Sequence, residues 1–524
     1  MKKLTSSVYS FEKLIDNDFL YVDKTEYIWK LVDSAPASYF MARPRRFGKS
    51  LTVSTLKAVF QGEKKLFKGL FIYDQSYHWK KYPVLHLDLA NCDAKTPATL
   101  RKYLASMLAG AAAEHHVEVE IQEDGLAASF EALLKAIGNR MPLVILLDEY
   151  DKPILNTILA PEAQECLDIL KGFYSSIKKC ESIEHFVFVT GVSKFSHVSI
   201  FSDLNNLNDI SMNEEYATMF GYTQQEFEKS FPDHIENVAE KMGISREELL
   251  PKIIAWYDGY RFHENTVSVY NPVSLALFFV NGGEFNNYWF DTGTPSFLME
   301  LIKKYHFDFE NVLTRPVSKM AFKAFEITKI DPLSLLLQTG YLTIKAMETK
   351  FNMPWYWLDF PNQEVSMSFN TYLIKAYAGT SDDEVTNFCG QLAEALTGGD
   401  LESLRKVLEV FFAGFPYDLH KKSENNFQNI FYSLFRLLGY YVEAESRTSN
   451  GRIDAVVKTD QWIYLFEFKI DKNADEALSQ IKNKDYVRKY MLSGKKVILI
   501  GANFNTGNGQ LSDWQTEVAT PEFF

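Results

Sequence analysis

Four short apolar runs, separated by stretches long enough for helical crossovers, constrain the first 215 residues to an α/β fold. Strands of a parallel sheet are buried on both faces, and each is joined to the next by a crossover of about a dozen residues or more. The spacing therefore predicts a mainly parallel sheet covered by helices. The predicted strands are residues 38–42, 84–89, 143–147 and 186–189.

The pattern changes twice further along the chain. Leu, Phe and Ile recur at helical spacing from residue 216 to 400, which predicts a mostly helical middle region. Three strands then follow among helices, and this pattern predicts a second α/β domain over 401–524. A chain of 524 residues also exceeds the roughly 250 to 300 residues that one core supports. The predicted elements of the last region are helices near 401–412, 427–438 and 475–490 and strands 452–458, 462–470 and 496–500.

Composition excludes several classes of protein. The chain is 46% hydrophobic and 23% charged, which is typical of globular proteins and not of disordered or fibrous ones. Its apolar runs fall short of the roughly 18 residues that a membrane span needs. A polar segment follows Met1-Lys2-Lys3 where a secretory signal would be apolar, and the four cysteines form no CxxC pair. We therefore expect a cytoplasmic protein with reduced thiols and no membrane association.

Charge is distributed unevenly along the chain. A net charge of −13 argues against a general nucleic-acid coat protein. From Lys421 to the C-terminus, however, 14 basic residues stand against 13 acidic ones, whereas the rest of the chain has 41 and 55. The last hundred residues are therefore the better candidate for contact with a polyanion.

A Gly-Lys-Ser tripeptide stands at the predicted junction of the first strand and the following helix. Exposed amides at a helix N-terminus bind anions, Lys49 would reach the β and γ phosphates of ATP, and the Ser50 hydroxyl would bind Mg²⁺. The usual motif has glycine five residues before Gly48, where this chain has Arg43. Taken alone, such a tripeptide also occurs by chance. The residues predicted to contact the nucleotide here are Arg46, Phe47, Gly48, Lys49, Ser50 and Leu51.

Two carboxylates follow the apolar strand 143–147. Asp148 is suited to hold Mg²⁺, and Glu149 is suited to polarise an attacking water. The alternative is that both are acids at a helix N-terminus. Thr190, at the end of the next strand, stands where a polar sensor of the γ phosphate would, although an ordinary turn residue is the other interpretation. The occurrence of both the loop and the carboxylates favours a nucleotide site.

A second set of charged residues lies in the last region. Asp454 is followed, on the next predicted strand, by Glu467 and Lys469, and the period of two places Glu467 and Lys469 on one face. Metal-dependent phosphodiester cleavage needs carboxylates for the metal and a cation near the attacking water. Glu424, at the start of the preceding helix, is a further candidate ligand. The alternative is a solvated strand face with a cross-strand ion pair.

Counting residues gives a geometric prediction for this site. If Asp460 and Gln461 form a two-residue loop, the numbers of facing residues must add up to 921, which places Asp454 opposite Glu467. A three-residue loop would give 920 and turn Asp454 to the other face. Opposed carboxylates repel unless a cation lies between them, so we expect the two carboxyl groups within roughly 5 Å of each other, with the Lys469 amine nearby.

The motifs together resemble those of the bacterial AAA-ATPase-like family whose members carry a C-terminal PD-(D/E)XK nuclease domain. The resemblance covers nearly the whole chain, and an arginine in place of the first loop glycine is usual in that family. It implies a P-loop NTPase-like domain, a restriction-endonuclease-like domain, and auxiliary nuclease roles for Gln480 and Tyr486. The specific motifs are 21–25 (YVDKT), 43–50 (RPRRFGKS), 148–151 (DEYD) and 190–196 (TGVSKFS), with weaker ones at 256–260 (WYDGY) and 270–272 (YNP).

These observations predict an ATP-binding protein coupled to a Mg²⁺-dependent nuclease that acts on DNA rather than RNA. The alternative is a nucleotide-regulated scaffold that holds nucleic acid or a protein with little or no turnover. The acidic first 420 residues favour the scaffold, whereas the set of Asp454, Glu467 and Lys469 favours the enzyme. The sequence leaves a homo-oligomer open.

Overall fold

The computed structural model describes two compact units. The first comprises Met1–Thr292 and Ser318–Gln363, and the second comprises Gly293–Val317 and Glu364–Phe524. The predicted boundaries near residues 215 and 400 stay predictions. The described residues exclude 195–205, 291–295, 306, 308–311, 314, 323–330, 414–423, 440–442, 447–454, 483–486, 488–489, 491–493, 506–509 and 520–524, and also the side chains of 296–297, 378, 424–428 and 443–446.

A five-stranded parallel sheet forms the centre of the first unit, as predicted. Its spatial order is β2-β3-β4-β1-β5. Every residue of β3 is buried, as expected for an apolar strand inside a parallel sheet. The strands are β1 (Ala37–Ala42), β2 (Val84–Asp88), β3 (Leu143–Asp148), β4 (Glu184–Gly191) and β5 (Asn208–Asp209).

Helices connect these strands. Helix Pro97–Glu114 begins with a capping box in which Thr96 and Thr99 satisfy each other's backbone amides, and Pro97 occupies its first turn. Helices Leu126–Gly138 and Ala163–Lys179 pack through Phe130 and Phe173, whose stacked rings lie 4.4 Å apart. The remaining helices here are Phe11–Asp16, Thr25–Asp33, Lys49–Phe60 and Lys152–Thr157, with short 3₁₀ turns at Lys64–Phe67, Phe71–Asp74, Glu123–Gly125 and Glu181–Ile183.

The rest of the first unit is mostly helical, as predicted, and has its own aromatic core. Phe227, Phe231, Tyr257 and Phe278 are buried together there with Val22 of the N-terminal segment. Lys24 reinforces this connection, because its amine lies 2.7 Å from both Glu226 and the carbonyl oxygen of Thr218. The helices are Gln224–Ser230, Pro232–Met242, Arg246–Tyr257, Pro272–Val280 and Pro332–Gln338, with 3₁₀ turns at Glu214–Tyr216 and Lys319–Phe322.

An antiparallel hairpin in this region was not predicted. Strands β7 (Thr343–Lys350) and β8 (Met353–Asp359) pair, and the short β6 (Val317–Ser318) completes a three-stranded sheet. The turn residues Phe351 and Asn352 have φ angles of 53° and 58°. A tight hairpin turn needs two residues in the left-handed conformation. Phe is rarely found in such a turn, so the sequence did not indicate one here.

The second unit contains a mixed sheet in the order β13-β12-β11-β10-β9. Strands β11 and β12 are parallel, and the other neighbours are antiparallel. Strand β11 has the predicted bounds. The strands are β9 (Glu443–Ser446), β10 (Ala455–Lys458), β11 (Trp462–Ile470), β12 (Lys496–Phe504) and β13 (Leu511–Val518), and the helices are Ser296–Lys304, Gln363–Ala378, Asp382–Gly398, Leu401–Ala413, Glu424–Leu438 and Ala474–Lys482.

The described part of the chain contains no helix that could cross a membrane. None of its helices combines the length with the apolar character that a bilayer crossing requires.

A half-buried glutamate at the start of β4 makes the stability of the first unit depend on pH. Burial, and next the charge of Glu181, raises the pKa of Glu184 from 4.5 to about 8. Its Oε1 has no hydrogen-bond partner among the residues that the structure describes. The folded state thus favours the protonated form, and the free energy of unfolding should fall as the pH rises from about 4.5 to about 8.

We expect Glu184→Gln to raise the thermal unfolding midpoint relative to the wild type at about pH 9 and to leave it nearly unchanged at about pH 5. Glu118→Gln, at an exposed glutamate elsewhere in the same unit, is the matched control. Equal midpoints for Glu184→Gln and wild type at both pH values would contradict the prediction.

Candidate nucleotide site and candidate nuclease site

The loop after β1 ends in a glycine that the backbone requires. Gly48 has a φ of 91° and caps helix Lys49–Phe60, and Arg46 is also left-handed at 67°. A side chain at position 48 would be strained by that φ, although a Cβ there would meet no atom within 4 Å. The space beside Gly48 is therefore open, and backbone amides at a helix N-terminus can bind an anion there.

Lys49 lies across this loop. Its buried amine donates to the carbonyl oxygens of Arg43, at 3.2 Å, and Pro44, at 3.1 Å, and lies 3.3 Å from Glu149 Oε1. The fold thus brings together two of the predicted site residues, which stand a hundred positions apart in the sequence. An incoming phosphate would compete with Glu149 for this amine.

Asp148 and Thr190 end neighbouring strands, and both carry buried oxygens. Asp148 Oδ1 and Thr190 Oγ1 have no hydrogen-bond partner within the described parts of the chain. Burial raises the pKa of Asp148 to about 7 against the lowering effect of Ser50. Buried oxygens without partners are costly, and oxygen is the donor that Mg²⁺ prefers. These residues fit a magnesium-bound nucleotide.

The backbone of Glu149 is left-handed, with a φ of 53°. Such a conformation is unfavourable for a glutamate and is found most often at functional sites. Asp151, to which sequence reasoning gave no role, is fully buried and accepts hydrogen bonds from the amides of Val192 and Ser193 at 3.1 and 2.7 Å. Burial, and next the charge of Glu149, raises the pKa of Asp151. This contact fixes the chain just beyond Thr190 against the loop that carries Glu149.

Arg43, at the position of the missing glycine, points into the protein. Its Nη1 donates to the carbonyl oxygens of Ala42 and Ser211 at 2.9 and 2.6 Å, and its Nη2 donates to Tyr216 at 3.2 Å. The guanidinium lies 4.1 Å from the centre of the Phe262 ring. The entry of the loop is thus fixed by a buried side chain.

Residues of the helical region hold the rest of the loop. Trp289 Nε1 donates to the Arg45 carbonyl oxygen at 3.1 Å, and the ring of Phe47 packs edge-on against Tyr260 at 4.8 Å. Pro44 lies against Gly340, where an added Cβ would come within 2.7 Å of the proline ring. Sequence reasoning missed these contacts, although the weaker motif 256–260 includes Tyr260.

The other two predicted loop contacts, Arg46 and Leu51, are in different surroundings. Arg46 Nη1 lies 3.4 Å from the hydroxyl of the exposed Tyr9, and the carbonyl oxygen of Leu51 accepts from Thr55 inside the helix. Their backbone amides, and that of Phe47, stay the predicted nucleotide contacts.

Three predicted nuclease residues meet in the second unit. The Lys469 amine lies 2.9 Å from Glu467 Oε1 and 2.6 Å from Gln480 Oε1. The side chain of Glu467 is only 2% exposed and that of Lys469 is 15% exposed. Strand β11 supplies the charged pair and helix Ala474–Lys482 supplies the glutamine. A cation thus balances a buried carboxylate at the edge of an open depression.

That depression has a volume of about 510 Å³. Basic, acidic and amide side chains share its lining, which suits a polar ligand. The lining residues are Lys469, Lys472, Asn473, Asp475, Glu476, Ser479 and Gln480.

The predicted strand register is confirmed. The facing pairs run from Ala455–Phe466 to Lys458–Ile463, and the two numbers of each pair add up to 921. The Thr459 amide donates to the Trp462 carbonyl oxygen at 2.9 Å and closes the two-residue loop. Asp454 and Tyr486 lie outside the described residues.

Glu424 is the first residue of helix Glu424–Leu438, and its side chain also lies outside the description. Within the described residues, no group of three or more His, Cys, Asp or Glu side chains could hold a metal ion.

Known proteins match the same two parts of the chain. Residues 6–201 match the family described as "Predicted AAA-ATPase", and residues 422–514 match the PD-(D/E)XK nuclease superfamily. A protein of Azotobacter chroococcum mcd 1, described as "Uncharacterized protein in vnfD 5'region", is 36% identical over 518 residues, which is 96% of each chain. The protein therefore belongs to the bacterial AAA-ATPase-like family with a C-terminal PD-(D/E)XK nuclease domain.

Proposed function

We propose that this protein binds ATP with Mg²⁺ in its first unit and cleaves nucleic acid, DNA rather than RNA, in its second. The observation that carries the proposal is the contact of Lys469 with both Glu467 and Gln480 in a domain of the nuclease superfamily. A buried carboxylate beside a cation on one strand face is what metal-dependent phosphodiester cleavage needs.

In the nucleotide site, each side chain has a proposed task. The amides around Gly48 bind the phosphates. The Lys49 amine leaves its ion pair with Glu149 and binds the terminal phosphates. Ser50 and Asp148 hold Mg²⁺, which when bound offsets negative charge on the phosphates. Glu149, released from Lys49, orients the attacking water. Thr190 donates a hydrogen bond from its hydroxyl group to the γ phosphate.

In the nuclease site, Glu467, Asp454 and Glu424 are the proposed metal ligands. Lys469 orients the attacking water and offsets the charge that develops on the phosphate. Gln480 holds the Lys469 amine beside the carboxylate, and Tyr486 is the further auxiliary residue. The nearly balanced charge of residues 421–524 supports contact with a polyanion there.

The second candidate is a nucleotide-regulated scaffold with little turnover. The ion pair of Lys49 with Glu149 favours it, because both groups needed for hydrolysis are bound to each other. Release of Glu149 would then limit the rate of ATP hydrolysis.

A cleavage assay on single-stranded DNA, double-stranded DNA and RNA tests the proposal. It compares the wild type with Asp454→Ala, with and without Mg²⁺ and with and without ATP. We expect cleavage of DNA that requires both Mg²⁺ and Asp454. Equal cleavage by Asp454→Ala would overturn the nuclease assignment, and tight DNA binding without any cleavage would favour the scaffold.

We predict that Lys49→Ala weakens ATP binding at least about a hundredfold, because it removes the cation aimed at the terminal phosphates. Calorimetric titration with ATP and Mg²⁺ measures the effect. Lys57→Ala is the matched control, since Lys57 lies on the same helix and pairs with Glu114 at the surface. Undiminished affinity of Lys49→Ala would refute the nucleotide site.

Glu149→Gln should bind ATP as well as the wild type or better, because it removes the carboxylate that competes for Lys49. Hydrolysis should slow by about 10² to 10⁴, the usual contribution of a general base. Phosphate release under saturating ATP measures this rate. An unchanged rate of ATP hydrolysis would mean that Glu149 is only an acid at a helix N-terminus and does not orient the attacking water.

We predict that Glu467→Gln lowers cleavage at least about a hundredfold without changing the thermal midpoint by more than a few degrees, because the amide keeps the shape of the carboxyl group but binds metal poorly. Glu476→Gln, an exposed residue of the same depression, should cleave like the wild type. Equal rates for both variants would mean that Glu467 serves only as an ion-pair partner of Lys469.

A further inference from the structure

A small cavity lies beside the entry of the nucleotide-binding loop in the first unit. Its volume is about 60 Å³, enough for a few water molecules or one small ion. Three of its lining residues are cationic, and no carboxylate is among the described residues that line it. The cations are Arg43, Arg261 and Lys194, and the apolar part of the wall includes Phe262 and Ile344.

Arg43 is a fully buried cation without an ion pair in the described structure. Its two terminal nitrogens bond to carbonyl oxygens, and its Nε has no hydrogen-bond partner among the described residues. Burial lowers the pKa of Arg43 to about 9, although the charge of Asp209 opposes this shift. A buried charge with neutral partners only is unfavourable, and an anion in the adjoining cavity would compensate it.

Arg261 presents a second donor to the same cavity. Its Nη1 lies 3.4 Å from the carbonyl oxygen of Lys345, but its buried Nε has no partner among the residues described. Two carboxylates lie nearby but outside the lining. Asp209 forms an ion pair with Lys194, and Asp258 is hydrogen-bonded to Ser268. The lining therefore keeps a positive charge.

We propose that this cavity binds a small oxyanion of the phosphate class, held by the guanidinium groups of Arg43 and Arg261. Guanidinium groups bind phosphate oxygens with strong, charge-assisted hydrogen bonds. The site is separate from the proposed nucleotide site, because the Arg43 side chain bonds to Ser211 and Tyr216, whereas its carbonyl oxygen bonds to Lys49.

Titration of the full-length protein with inorganic phosphate tests this site, with chloride at matched ionic strength as the control. Since the nucleotide loop also binds phosphate, the titration is repeated in Lys49→Ala. We expect phosphate, and not chloride, to raise the thermal midpoint of both proteins. Arg261→Gln should weaken the phosphate site about tenfold or more, as loss of one charged donor predicts.

Arg246→Gln is the matched control, because Arg246 lies at the surface of the same unit and pairs with Glu228 and Glu236. Arg261→Lys keeps the charge and should retain intermediate affinity. Phosphate binding that disappears in Lys49→Ala and persists in Arg261→Gln would assign all of it to the nucleotide loop. No response to phosphate in the wild type would mean that the cavity holds only water.

Discussion

The buried guanidinium of Arg43 is the interaction on which the first unit depends. A loop that wraps phosphates usually begins at glycine, because glycine tolerates the required backbone angles and leaves room. Here the entry is instead fixed by three hydrogen bonds from Arg43 and by its contact with Phe262. Because Tyr216 and Phe262 belong to the helical region, the loop takes its shape only when that region has packed against it.

The two candidate sites stabilise their buried carboxylates in different ways. Glu467 is next to the Lys469 amine, so its charge is compensated within the protein. Burial raises the pKa of Asp148, and the Ser50 hydroxyl and the charge of Lys49 oppose this rise without cancelling it. The first arrangement pairs the carboxylate with a cation of the protein itself. In the second, a metal ion and a proton would compete for the same carboxyl oxygens, so metal binding would release the proton.

Sequence reasoning succeeded where a local pattern determines the structure. Strands 143–147 and 462–470 are apolar enough to be recognised, and the register of β10 with β11 followed from the length of a two-residue loop. It failed where contacts between residues far apart in the sequence determine the structure. The hairpin turn at Phe351 and Asn352 lacks the usual glycine, and no local signal shows that Trp289 bonds to the carbonyl oxygen of Arg45.

The same distinction between local patterns and long-range contacts applies to the candidate sites. The place of the loop between β1 and helix Lys49–Phe60 was predictable because the spacing of its motif is a property of the local backbone. Asp151 was not, because its role depends on the amides of Val192 and Ser193, which reach it only in the folded sheet.

The first unit consists of two separate stretches of chain, interrupted by Gly293–Val317 of the second unit. During synthesis the ribosome must therefore produce the chain through Gln363 before this unit can be complete. Until then the loop lacks Gly340, against which Pro44 packs. A fragment that ends near residue 215 would contain every residue of the nucleotide motif but none of the helical residues that hold the loop. Expression of the first unit alone thus calls for a circular permutation or an internal deletion rather than a simple truncation.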